Sequence, residues 1–150
     1  MKKRVNYTSL EKPRVKYPSG IYLIKTSSQT LPNVIDHFGV LIAGPALLSV
    51  GYWEDKPIIF HLTDTGFQID YVEQFGNVER LGKVNQNQIS QAIWRLKISF
   101  FNPRYDLFSN NCEQFARFTT EGYKQSIQLQ NIVGVGLLAG LSLLIWTNNE

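Results

Sequence analysis

A chain of 150 residues, 43% of them apolar, is long enough for one domain with a modest core and too apolar for wholesale disorder. Its single cysteine excludes an internal disulfide framework and any multi-cysteine zinc site, and it suits a reducing compartment. The net charge of +3 is small but unevenly spread: Lys2, Lys3, Arg4, Lys12, Arg14 and Lys16 crowd residues 1–16, with Glu11 as the only acid among them. This basic lead-in reads either as a solvated terminus or as a stretch drawn to anionic lipid headgroups, at about 1 kcal/mol per basic residue near the surface. No recognised nucleic-acid module accompanies the charge, so nucleic acid is not expected as a partner. No apolar run follows the early lysines, so a secretory signal is not expected either.

Pro18-Ser19-Gly20 is a turn signal, and Ile21-Tyr22-Leu23-Ile24-Lys25 has the β-branched and aromatic content of a strand. Thr26 to Asn33 is polar and proline-broken, which predicts a loop. A second strand is expected from His37 through Phe38-Gly39-Val40-Leu41-Ile42, and a third from Leu47 to Trp53, with Glu54-Asp55-Lys56-Pro57 as the turn after it. Ile58-Ile59-Phe60-His61-Leu62 and Phe67 to Val72 make a fourth and a fifth. Strands so close together favour an antiparallel sheet. The period then changes: Ile89, Ala92, Ile93, Leu96 and Phe100 fall at helical spacing, and Asn102-Pro103 closes that helix. The fold class expected is α+β, strands first and helices second.

Ser109-Asn110-Asn111-Cys112-Glu113-Gln114-Phe115-Ala116 reads as the start of a further helix ending near Gly122. Asn110 suits the N-cap, with Glu113 closing a capping box. Cys112 then lies in the first turn, where free N–H groups and the helix dipole stabilise a thiolate. Cys112, Phe115, Ala116 and Thr119 share one face, which is predicted to meet the core. The chain's two histidines, His37 and His61, both fall in the sheet half. A thiol nucleophile needs an imidazole to take its proton and a second polar group to hold that imidazole in the right tautomer. A buried, inert cysteine with two structural histidines is the competing reading.

Ile132 to Trp146 is uncharged and rich in leucine and glycine. As a helix it would span about 22 Å at ~1.5 Å per residue, against a hydrocarbon core of about 30 Å. A helix buried in the domain is one reading. A membrane-anchoring helix over 131–147, transmembrane or partly inserted, is preferred, because the run is apolar all round and ends in Trp146, a residue suited to a membrane interface. Gly136 and Gly140 form a GxxxG pair that would let a second helix approach closely. The basic residues all precede the run, so the folded domain is expected on the cytoplasmic side.

Asn111-Cys112-Glu113-Gln114-Phe115-Ala116 resembles the Asn-Cys-Glu-His-Phe signature of the lecithin:retinol acyltransferase (LRAT) family, which includes the HRAS-like suppressor phospholipases/acyltransferases and bacterial members. His37-Phe38-Gly39-Val40 is similar to the family's His-(Trp/His)-(Ala/Gly)-(Ile/Val) strand, and Ile59-Phe60-His61-Leu62 to its Val-Ile-His-Leu. Glu73-Gln74-Phe75, the leading Tyr105 and the hydrophobic tail extend the resemblance. It implies a circularly permuted papain-like domain over 17–125, with Cys112 as nucleophile, His37 as general base and His61 orienting His37. It further implies a phospholipid membrane as partner and a glycerophospholipid as acyl donor. The acyl group would pass through a Cys thioester to water, an amine, a lysophospholipid or an alcohol, with no cofactor or metal. Gln114 departs from the family's histidine, and the long interval from His37 to His61 requires an enlarged connection through Pro45 to Pro57. A permuted papain-like cysteine peptidase or amidase, and a non-catalytic membrane-anchored interaction module, are the alternatives.

Overall fold

The computed structural model describes residues 17–27, 35–53, 56–101 and 103–147, the last eight as backbone alone. The basic lead-in over residues 1–16, most of the expected Thr26–Asn33 loop, and Glu54, Asp55 and Asn102 lie outside the described residues. Five strands form one antiparallel sheet in the order β4-β3-β2-β1-β5: β1 is Gly20–Ser27, β2 Asp36–Ala43, β3 Ile58–Thr63, β4 Gly66–Tyr71 and β5 Glu79–Lys83. The helices are α1 (Val72–Phe75), α2 (Ile89–Ser99), α3 (Cys112–Glu121) and α4 (Ile127–Thr147). The α+β class with an antiparallel sheet is the one expected; the three longer helices follow the strands, while the short α1 precedes β5.

Strand side chains alternate, and the alternation sorts the interior into two layers. Ile21, Leu23, Phe38, Val40, Ile42, Phe60 and Leu62 face α2 and α3, and pack on Leu96, Phe115 and Ala116. Tyr22, Ile24, Leu41 and Ile59 face the other way, onto Tyr17 and Phe75. Complete burial of a side chain such as Phe115 or Leu41 contributes roughly 1.5–3 kcal/mol. β2 is central and buried from Phe38 to Ala43, which gives the site a rigid floor.

The structure departs from the sequence reading at three points. Leu47 to Trp53 is not a strand; Gly44–Val50 forms a 3-10 helix that buries Leu47. Pro45 sits in its first turn, where a missing N–H costs nothing, and Gly51, in the left-handed region at φ 89°, caps its end. This helix is the body of the enlarged β2–β3 connection. β5 was not foreseen, because Glu79, Arg80 and Lys83 give it no apolar alternation. It is an exposed edge strand, paired to β1 through an irregularity between Leu23 and Ile24.

The third correction concerns α4. The helix is present and contains the apolar run, but among the described residues no helix is long and apolar enough to cross a membrane. Its first turns carry Gln128, Gln130 and Asn131, so only the later part is apolar. The reading of a helix buried in the domain also fails for the described part: Ile132, Val135, Leu137 and Leu138 are all more than half exposed.

Candidate active site

The sequence Asn111-Cys112-Glu113-Gln114 folds into a helix start one residue later than expected. Asn111, not Asn110, is the N-cap: its Oδ1 accepts from the Gln114 N–H at 2.9 Å, and Gln114 Oε1 accepts from the Asn111 N–H at 3.0 Å. Gln114, and not Glu113, therefore closes the capping box. Its Nε2 donates to the Phe108 carbonyl at 2.8 Å, while Asn111 Nδ2 donates to that of Leu107 at 2.8 Å, which ties down the segment leading into the helix. Cys112 becomes the first helical residue. Cys112, Phe115, Ala116 and Thr119 are all buried, as their spacing predicts, and Gly122 caps the helix at φ 91°.

Freed from capping, Glu113 is buried to 1% exposure and satisfied by three donors. Arg117 Nε reaches Oε1 at 2.9 Å; Ser126 Oγ and the Gln128 N–H reach Oε2 at 2.8 and 3.1 Å. The Arg117 guanidinium in turn lies 5.8 Å from the centre of the Phe38 ring. The first turn of α4 is thereby tied to the residue after the cysteine. It is also tied to β2, because Gln128 exchanges two hydrogen bonds with the main chain of Asp36, at 2.6 and 3.0 Å.

The imidazoles stand together on the α1 face of the sheet. His37 Nε2 and His61 Nδ1 are 2.8 Å apart with the rings edge to face, and each ring packs on Phe75. His61 Nε2 lies 2.9 Å from Asp70 Oδ2. Burial pushes the His37 imidazole down to about 4; neighbouring His61 adds to this and Asp70 opposes it. Burial also lowers His61, against the hydrogen bond and charge of Asp70.

Cys112 is 8% exposed and comes from the opposite, α3 face. Burial pushes its thiol up, while N–H groups of Phe38, Glu113 and Cys112 itself hold it down. The resting pair is therefore a neutral thiol and a neutral imidazole. No hydrogen bond joins the sulfur to either imidazole among the described residues. Of the N–H groups that lower the thiol's pKa, the one on β2 belongs to Phe38, the residue next to His37 near the start of that strand. A narrow cleft of about 50 Å³ borders Cys112, walled chiefly by Ile35, Tyr105, Leu107, Leu129 and Ile132, with neither histidine in its lining.

The sequence reading thus named a thiol and two imidazoles, of which the structure joins the imidazoles directly and brings the thiol to the neighbouring peptide. Asp70 was missed. Its signal was the β3–β4 hairpin: His61 pairs with Gln68 and Ile59 with Asp70, so Asp70 shares the face of His61 and lies diagonal to it.

No family model, curated protein or solved structure matches this chain. The chemistry of the site therefore rests on the residues themselves. Among the described residues, no group of three or more His, Cys, Asp or Glu side chains is arranged to hold a metal ion.

Proposed function

We propose that this chain is a membrane-associated thiol acyltransferase or phospholipase A of the LRAT-like kind, acting on glycerophospholipid esters through a Cys112 thioester. On this reading its α+β domain is a circularly permuted papain-like fold. What carries the proposal is the pairing of one thiol at a helix start with a hydrogen-bonded chain of polar groups: Cys112 opens α3, and His61 engages the candidate base His37 at Nε2 while itself meeting Asp70. The Phe38 N–H, next to His37, is among the groups that favour the thiolate. His37 Nδ1, at the other side of the ring, is the nitrogen left to take the thiol proton. Catalytic hydrogen bonds in unliganded enzymes often tighten only with substrate in place.

In the reaction, the S–H bond breaks as His37 Nδ1 gains the proton, and the thiolate attacks the ester carbonyl carbon. Collapse of the tetrahedral oxyanion expels the lysophospholipid oxygen, which takes the proton back from His37 and leaves the acyl group on sulfur. Water, an amine, a lysophospholipid or an alcohol then repeats the sequence in reverse with His37 as base. N–H groups at the α3 terminus favour the thiolate, as a helix N-terminus does.

Lipid is supported by the apolar wall of the cleft and by its continuation along exposed α4. At about 50 Å³ the cleft is well below the roughly 300 Å³ of a small-ligand site, so the first turn of α4 must give way for a fatty ester to enter. We place α4 in or against one leaflet, with the folded domain on the cytoplasmic side.

The test is the intact mass of the protein after incubation with phosphatidylcholine/phosphatidylethanolamine vesicles. One added fatty acyl group, lost on hydroxylamine treatment and absent from Cys112→Ala, is the expected result. Absence of both adduct and lysolipid, with the protein folded, would overturn it and redirect the search to peptide substrates.

A further inference from the structure

We propose that Asp70 is a positioning residue that sets the proton pattern of both imidazoles, leaving His37 with its proton on Nε2 and an unprotonated Nδ1 free to act as base. The inference rests on the Cys112–His37 reading above and adds a member that neither the signature residues nor their spacing indicated.

The argument follows the protons along a chain of contacts. Asp70 Oδ2 is 2.9 Å from His61 Nε2, and a carboxylate only accepts, so Nε2 of His61 carries the hydrogen. A neutral His61 then has a bare lone pair on Nδ1. That atom is 2.8 Å from His37 Nε2, so the hydrogen between them belongs to His37 Nε2. A neutral His37 with its proton on Nε2 has none on Nδ1. One carboxylate, two rings away, therefore decides which nitrogen of the base is basic. Without it the same two rings can pair in the opposite sense. His61 Nδ1 would then donate, and His37 would carry its proton on Nδ1, which could then accept none.

The placement is specific to the hairpin. Asp70 stands on β4 diagonal to His61 on β3, and both rings are held edge-on to or tilted against Phe75 from α1, which limits how far they can turn. The titratable groups acting on the assembly are few. Asp70 acts on both imidazoles, His61 acts on His37, and Glu113 acts on the thiol of Cys112, which itself acts on Tyr105. Once the thiol proton reaches His37, the negative charge of Asp70 also favours the imidazolium. Loss of Asp70 should thus shift the appearance of the reactive thiolate to higher pH.

The chain has two histidines and one cysteine, so both readouts are unambiguous in the full-length protein. Nitrogen-15 NMR of the imidazoles should show both rings as the Nε2–H tautomer in the wild type. In Asp70→Asn the His37 tautomer should become mixed or reversed. The alkylation rate of Cys112 by iodoacetamide at neutral pH should fall about tenfold, with its pH profile displaced upward, and Asp70→Glu should recover much of the rate. A wild-type His37 protonated on Nδ1, or an Asp70→Asn protein with unchanged tautomer and alkylation profile, would overturn the proposal. Failure of the underlying reading looks different: Cys112 would alkylate no faster in the wild type than in His37→Gln, whatever the tautomers. The wild-type tautomer measurement decides the matter even where a variant does not fold.

Discussion

His37 carries the pH behaviour expected of this protein at the level of single residues. Its pKa is depressed to about 4 in the folded state, against about 6.5 in an unfolded chain. Between those values the unfolded chain binds more protons, so stability rises with pH there. The His37 contribution is intact above pH 6.5 and is lost as pH falls toward 4. The melting temperature should drop across that window, and His37→Gln should flatten the descent. If His37 is the base, as proposed above, the same depression would keep it neutral in mild acid, and the acid limb of kcat/KM should lie nearer pH 4 than 6.5. The residue types of the site were legible because the chain holds so few alternatives: one thiol and two imidazoles. Asp70 was not, since its relation to His61 depends on hairpin register, which residue type does not reveal.

The elements that were read correctly are those whose residues bury in one regular pattern. β1, β2 and β3 are β-branched and aromatic, and α2 shows its apolar positions at helical spacing. The 3-10 helix after β2 has the same apolar character as a strand, and only Pro45 and Gly51 distinguish the two outcomes. At the start of α3 two asparagines and two carboxyl- or amide-bearing residues offered two capping boxes one residue apart. The one adopted leaves Glu113 free for Arg117, Ser126 and Gln128, whereas the other would spend it at the cap. Gln114 is the residue to test here, because its side chain makes one hydrogen bond to Asn111 and one to Phe108. Gln114→Ala should lower stability by about 1–3 kcal/mol, measured as a lower urea midpoint with little change in slope.

Across the whole molecule, the thiol and the imidazoles approach from opposite faces of one sheet near the start of β2, and α4 begins at that same place. Gln128 bonds to Asp36 through both ends of its amide, as a strand partner would, and its own N–H reaches Glu113. The tail helix is therefore fastened one residue before His37 and one residue after Cys112. A tilt of this helix would pull directly on the main chain beside His37 and on the residue after Cys112. On the acyltransferase reading proposed above, such wiring would convert contact with a lipid surface into catalytic alignment. Hydrolysis of a short water-soluble ester should accelerate when empty vesicles are added, and Gln128→Ala should weaken that response more than it weakens vesicle binding. A tail that only held the enzyme near its substrate would leave the soluble ester unaffected.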